Sequence, residues 1–306
     1  MKIRKIGKGK WIGIGIFLVF LIIFILLYWR TGFLQPSKID QRDLEYWNYT
    51  NGFQENSEEF TLNGSKEVCW LLVHSYTSTP CEMRELGERI NLEFNDYVYA
   101  PLLEGHGETP SQILNLSLND WYSQIQGEFN ELDKECERIN VVGSSIGGGI
   151  VLRLAENNEF NHLYLVNPYL FAPYHFYYVF RPESYIKYLG DILEYSKKRK
   201  LAQINSQEEI ETHIAYWNMP YAPMKNSLEF FKQVEVDLNK INESILIQHS
   251  INDRTSSIES SEMIFKDINS SKKKIIRFEK SNHVLLKDYD KEEVINNIIN
   301  FEKELR

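Results

Sequence analysis

Apolar positions recur along this chain in two rhythms. Short apolar runs, "VCWLLV" (68–73), "YVYAPLL" (97–103), "INVV" (139–142), "HLYLV" (162–166), "SILIQ" (244–248) and "KKIIRF" (273–278), have the length and β-branched content of buried strands. Between them, apolar residues return every three or four positions, the period of a helix with one buried face. Met83, Leu86, Ile90 and Phe94 follow Pro80 in this way, and Ser117 precedes a second such stretch, "LNDWYSQIQGEFNELDKECE". Further helices are expected over "IGGGIVLRLAENN", from roughly Ile258, and from Lys291. Ahead of the first run, "EEFTL" and the turn signal Asn63-Gly64 predict a hairpin or two consecutive strands. Alternation of this kind implies a mostly parallel sheet covered by helices on both faces.

The alternation breaks at Asn167-Pro168. Residues 168–240 are rich in aromatics ("PYLFAPYHFYYVF") and show no clean strand until "SILIQ". The expected architecture is one α/β domain over 58–306 with a mostly helical insertion at about 168–240. Near the N-terminus, Trp11–Trp29 ("WIGIGIFLVFLIIFILLYW") is an uncharged run long enough to cross a bilayer as a helix, with aromatic residues at both ends. It exceeds the apolar core of a signal peptide, and no small-residue cleavage site follows in "YWRTGFLQPS". An uncleaved signal anchor is therefore expected over 11–29. Lys2, Arg4, Lys5, Lys8 and Lys10 precede it without an acidic residue, so residues 1–10 should stay cytoplasmic and the remainder should be exported. Residues 30–57, polar and weakly patterned, read as a juxtamembrane linker or a loosely packed lead-in.

Charge narrows the partners. The net charge is −9, and the first 30 residues contribute +6, so the rest carries −15. Such a body repels nucleic acid and anionic headgroups, which argues against a nucleic-acid function. Cys69, Cys81 and Cys136 form an odd set with no CxxC pair or His-rich spacing, which supports neither a disulfide framework nor a zinc site. Cys69, in an apolar run, reads as a small buried hydrophobe.

The informative stretch is "VVGSSIGGG" (141–149), two serines among glycines straight after a strand. A flexible Gly/Ser loop is one reading. A phosphate-cradling turn is another, although neither G-x-x-x-x-G-K-[ST] nor G-x-G-x-x-G is present. The third is a nucleophile elbow, G-x-S-x-G between strand and helix, which makes Ser145 the central serine and Ser144 the variable residue before it. A serine hydroxyl needs a base, and the base needs an orienting carboxylate. In this chain Asp253 follows the strand "SILIQ" and His283 follows "KKIIRF", in the order Ser, Asp, His expected for such an elbow. Alone, Asp253 reads as a turn or capping residue and His283 as an ordinary loop histidine. Together, at the C-terminal ends of parallel strands, they form a candidate triad. The oxyanion hole would use the Ile146 N–H and one from the loop after "WLLV". His74 and His106 precede Ser145 and read as structural histidines.

These motifs resemble the α/β-hydrolase carboxylesterases, especially the bacterial monoglyceride-lipase-like branch. The family's "LLxHGFTGxP" is similar to Leu71 through Pro80, its "P-x-x-x-GHG" to Pro101 through Gly107, and its "DW" to Asp120-Trp121. The likeness runs from about residue 58 to the C-terminus and is least in the insertion. It implies an α/β-hydrolase fold, a mostly parallel sheet flanked by helices with a helical cap insertion at 168–240, here preceded by one N-terminal transmembrane helix. It also implies that Tyr76 supplies the second oxyanion N–H. Ser75 and Ser78 replace family glycines, which leaves the oxyanion loop less free to take its usual shape. The expected activity is hydrolysis of carboxylic esters, on small-molecule or lipid substrates, with no metal and no cofactor. Acyl transfer or thioester cleavage on the same triad, or a non-catalytic hydrolase-like binding module, are the alternatives.

Overall fold

The computed structural model describes residues 8–30, 35–173, 182–190 and 192–306. Most of the basic tail and much of the aromatic run of the insertion, 174–181, lie outside the described residues. The N-terminal run forms a helix, α1 (Lys8–Arg30), whose Trp11–Trp29 stretch is long and apolar enough to span a membrane and is not buried by the rest of the protein.

From Gln35 the chain is not a loose linker. A short helix, α2 (Gln41–Tyr46), is followed by a small hairpin of β1 (Tyr49–Thr50) and β2 (Phe53–Gln54). Its turn is Asn51-Gly52, both at positive φ (53° and 89°), the geometry of a tight primed turn. Of the two arrangements expected at Asn63-Gly64, the consecutive strands form and the hairpin does not. β3 (Phe60–Leu62) and β4 (Ser65–Val73) are consecutive strands, but β3 pairs antiparallel with β5 (Asp96–Ala100), which lies between them in the sheet. Gly64 serves a close approach instead, since a Cβ there would sit 2.4 Å from the Asn95 carbonyl oxygen.

Between β4 and β5 lies α3 (Arg84–Phe94), and after β5 comes α4 (Leu118–Asp133). Ser117 caps α4, its backbone N–H and hydroxyl both donating to the Asp120 carboxylate. The chain then passes through β6 (Ile139–Ser144), α5 (Ile146–Ala155) and β7 (His162–Val166) into the insertion. The described part of the insertion contains α6 (Pro182–Leu189), β8 (Tyr195–Lys197), α7 (Gln207–Thr212), β9 (Asn218–Pro220) and α8 (Ser227–Asp237). It is thus not all helical, because β8 and β9 pair antiparallel. β10 (Ser244–Ser250), α9 (Ile258–Asp267), β11 (Lys273–Phe278) and α10 (Lys291–Leu305) complete the chain.

One seven-stranded sheet results, in the order β11-β10-β7-β6-β4-β5-β3, with every pair parallel except β5–β3. Alternate side chains feed its two faces. Cys69, Leu71 and Val73 of β4 join α4, α5 and α8 in one cluster, while Val68, Trp70 and Leu72 join α3 and α10 in the other. The insertion's Tyr169, Phe171, Tyr216, Phe230 and Phe231 are buried in the first cluster, so these aromatics build core. One expectation is overturned: Cys69 is buried, but its sulfur is bonded to Cys136. The two cysteines are 67 residues apart and meet because β4 and β6 are neighbours, Cys69 lying opposite Ile139. Cys81 is the free thiol.

Candidate active site

The elbow is built by a strand that ends against a helix start. Ser145, between β6 and α5, has φ +52° and ψ −118°, a region that a non-glycine residue occupies only when its surroundings impose it. They do so here. The Ser145 N–H donates to the Val166 carbonyl at 3.0 Å, and its own carbonyl accepts from Tyr169 N–H at 2.9 Å and Gly149 N–H at 3.3 Å. Gly147 is required because a Cβ would lie 2.4 Å from the Val73 carbonyl oxygen and 2.7 Å from that of His74. The same contact brings the end of β4 and the loop after it beside the start of α5.

Ser145 Oγ lies 2.7 Å from His283 Nε2, and His283 Nδ1 lies 2.7 Å from Asp253 Oδ2. Of the paired serines it is therefore Ser145 that meets the histidine, while Ser144 is still in the β6 ladder opposite Val166. The Nδ1–H of His283 donates to the carboxylate, which leaves Nε2 free to accept the serine proton. Asp253 also accepts from the Thr255 and Ser256 N–H groups at 2.7 and 2.9 Å. Burial by itself would raise its pKa, but His283, the nearby His249 and the Thr255 N–H outweigh burial and hold the carboxyl below its ordinary range. His249 approaches the same oxygen at 3.6 Å and bonds Ser261 Oγ through Nδ1, and burial pushes it down to about 4. It is neutral at pH 7.

Neither serine nor histidine is openly exposed: Ser145 is 3% and His283 is 8% accessible. Sequence reasoning missed Asn167, which ties their loops together. Fully buried at φ +45°, it donates to the Asn282 and His283 carbonyls and accepts from Ser250 N–H. The break in pattern at Asn167-Pro168 was the only signal of it. Asp288 and Asp290 hold the His283 loop from its other side through the N–H groups of Asn282 and Ser281.

The loop after β4, residues 74–79, is the other half of the site. Its strain falls on Thr77 (φ +62°), and Ser75 and Ser78 do not occupy the left-handed region that would call for glycine. Ser75 instead uses its N–H and hydroxyl to bond the buried Glu82 carboxylate at 2.8 and 2.7 Å. His74 and His106 support the loop as neutral acceptors. His74 Nε2 takes the Leu103 N–H at 3.0 Å and His106 Nε2 takes the Thr77 N–H at 3.1 Å. Burial pushes His74 down to about 4 and His106 well below its usual range. Among the described residues, the backbone N–H groups of Tyr76 and Ile146 have no backbone partner outside helix and strand ladders. No group of three or more His, Cys, Asp or Glu with metal-binding geometry occurs among the described residues.

Residues 66–290 match the family model described as serine aminopeptidase, S33. The chain is 24% identical over 248 residues to a carboxylesterase of Bacillus subtilis (strain 168), covering 80% of this chain and 96% of that protein. It is 27% identical over 232 residues to a thermostable monoacylglycerol lipase of Bacillus sp. (strain H-257), covering 76% and 88% respectively. Among solved structures, a metagenome-derived lipolytic enzyme superposes with TM-score 0.73 at 23% identity, covering 82% of this chain and 98% of the other. The monoacylglycerol lipase of Paleococcus ferrophilus superposes with TM-score 0.69 at 19% identity, covering 81% and 98%.

Proposed function

Because the chain belongs to the serine aminopeptidase S33 family and is an esterase- and monoacylglycerol-lipase-like α/β hydrolase, we propose that it is a membrane-anchored serine hydrolase cleaving carboxylic esters through Ser145, His283 and Asp253. The observation that carries this reading is the pair of 2.7 Å contacts, Ser145 Oγ to His283 Nε2 and His283 Nδ1 to Asp253, on a strained elbow. Ser145 Oγ attacks the acyl carbonyl while His283 Nε2 takes its proton. Charge then develops on the acyl oxygen, and the N–H groups of Ile146 and Tyr76 receive it. His283 returns the proton to the departing alcohol, leaving an acyl-enzyme. Water, deprotonated by the same imidazole, releases the acid. Asp253 stabilises the imidazolium that appears in both steps.

Neutral ester substrates fit a body carrying −15 outside its first 30 residues. Amide cleavage by the same triad needs a harder leaving group, so we place esters first. The shielding of Ser145 and His283 favours a second reading, in which an alcohol replaces water as acyl acceptor. The α1 helix would tether the domain, with the five N-terminal cations inside and the domain outside the cytoplasm. The Cys69–Cys136 disulfide supports that side, since such bonds persist in oxidising compartments.

A fluorophosphonate probe tests the site. Ser145→Ala should abolish labelling and Ser144→Ala should leave it detectable; the reverse pattern overturns the assignment. Product analysis with a p-nitrophenyl ester in added glycerol separates free acid from acyl glycerol. A C-terminal reporter active in the cytoplasm would refute the topology.

A further inference from the structure

The acyl-transfer chemistry leaves unexplained a cation beside the oxyanion loop. Lys198 follows β8 and is half-buried, and its Nζ donates to Thr77 Oγ1 at 2.6 Å and to the Leu201 carbonyl at 3.2 Å. Thr77 is the residue after Tyr76, and a β-branched residue at φ +62° stays there only if its partners hold it. Three do. His106 takes its N–H, Tyr216 N–H donates to its carbonyl at 2.8 Å, and Lys198 donates to its hydroxyl.

Lys198 is itself clamped. Its N–H donates to the Trp217 carbonyl at 3.0 Å, and its carbonyl accepts from Arg42 Nη1 at 2.8 Å. The Arg42 guanidinium also lies over the Trp217 ring, 3.7 Å from its centroid. The stretch just beyond the membrane helix makes four more such bonds to the β8–β9 segment. Asp43 accepts the Trp217 N–H, the Ile39 carbonyl accepts from Asn218 Nδ2, Trp47 Nε1 donates to the Ala215 carbonyl, and Tyr195 donates to the Gln35 carbonyl. A continuous line of contacts therefore runs from Gln35, five residues past the end of α1, to the oxyanion loop.

We propose that Lys198 is a positioning residue for the oxyanion loop: locked by residues 35–47, it holds Thr77 so that the preceding Tyr76 N–H stays aimed at the acyl oxygen. The inference rests on the reading of Tyr76 and Ser145 given above. It makes the juxtamembrane segment part of the catalytic apparatus as well as a tether. The choice of lysine fits the task, because a charge-assisted bond to a hydroxyl is stronger than a neutral one. Burial pushes the ammonium down to about 8, with Asp43 raising it and Arg42 lowering it.

The test uses the full-length chain in detergent, with active sites titrated by fluorophosphonate. Lys198→Met removes the ammonium and keeps the stem, and Thr77→Val removes the hydroxyl and keeps the shape. Each should lower kcat per titrated site on a p-nitrophenyl ester about 10- to 100-fold, the scale set by a misaimed oxyanion donor, with KM within about threefold. Each should weaken an alkyl boronic acid, a mimic of the tetrahedral oxyanion, by a similar factor. The double variant should be no worse than the poorer single one, since both remove the same bond. Lys198→Arg should recover part of the loss. A merely structural role would lower the melting temperature and the titratable fraction and leave kcat per site alone. Values per site within twofold of the unaltered chain in both single variants, or losses that multiply in the double variant, overturn the proposal. Labelling that survives Ser145→Ala overturns the triad reading instead, so the two failures are told apart.

Discussion

The two halves of the site are held in different ways. The acid–base half is stabilised mostly by its own neighbourhood: Asp253 accepts N–H groups two and three residues ahead, and Asp288 and Asp290 accept from residues six and nine positions back. The proposed oxyanion half is held across the molecule. Thr77 takes its hydroxyl bond from Lys198, 121 residues away, and the Tyr76 hydroxyl donates to the Pro220 carbonyl 144 residues away at 2.5 Å. Apart from Asn167, which ties its loops together from a distance, the first half is the kind of arrangement that a strand end and a turn build by themselves. The second exists only once the insertion and residues 35–47 have docked. A chain built this way can lose the geometry of the loop after β4 while keeping its triad.

The largest expected effects fall on the local half. His283→Ala removes the base, and Asp253→Asn leaves the geometry and favours the wrong imidazole tautomer; each should lower kcat by about 10⁴-fold on a p-nitrophenyl ester. Rates unchanged by either substitution would remove the triad. Next comes the near support of the oxyanion half. Glu82→Gln keeps one acceptor for Ser75 but loses the carboxylate that takes both its N–H and its hydroxyl. A fall in kcat of about 10-fold is expected, with fluorophosphonate labelling still complete at long times. If labelling failed at any exposure time, the two halves would not be separable.

Smaller effects should appear in stability with no change in rate. The Cys69–Cys136 bond closes a loop of 67 residues and, in the chain-entropy account, contributes up to about 4 kcal/mol. Replacing both cysteines with serine should lower the melting temperature and leave kcat within twofold, because Cys69 sits in the middle of β4, four residues before the strand end that leads into the site. A large loss of kcat in the folded variant would show that the sheet transmits strain to the oxyanion loop. The subtlest effect concerns Asp43, whose carboxyl burial pushes up to about 7, with the Trp217 N–H and Lys198 opposing it. A carboxyl whose pKa is higher in the folded than in the unfolded chain stabilises fully below about pH 4, and that contribution is lost as pH rises towards 7. Asp43→Asn should therefore flatten the decline in melting temperature between pH 5 and pH 8. Glu156, also raised to about 7 by burial, keeps part of that decline in place. An unchanged slope would mean that Asp43 titrates normally and that the clamp around Trp217 is open in solution.

Turn signals show where sequence reading succeeds and where it slips. Asn51-Gly52 forms the tight hairpin turn that such a pair favours, in a stretch whose polarity reads as linker. Asn63-Gly64 carries the same pair and forms no hairpin, because β5 inserts between β3 and β4 and pairs with both. The local chemistry of the two pairs is alike. Which strands lie beside them is not local, and that decides the outcome. Polarity misled in the same way at 35–57: Asp43, Gln54 and Ser57 are fully buried, against the β8–β9 segment and the loop around Gly107. Buried polar side chains look the same in sequence as solvated ones.

What the amino-acid order determined was whatever a few consecutive residues impose on their own backbone. That includes the apolar length of Trp11–Trp29, the strand and helix periods, the cap at Ser117, and an elbow that singles out Ser145 between glycines with no room for side chains. Asp253 and His283 could be added because strand ends in a parallel sheet converge on one edge, so their order along the chain already implied proximity. The tertiary structure alone decided the Cys69–Cys136 bond, the hub at Asn167, and the grip of Lys198 and residues 35–47 on the loop after β4. Each of these joins groups tens to hundreds of residues apart, by contacts that leave no periodic trace. A pattern of residues constrains the chain nearby, whereas the meeting of distant segments depends on how every intervening element has packed.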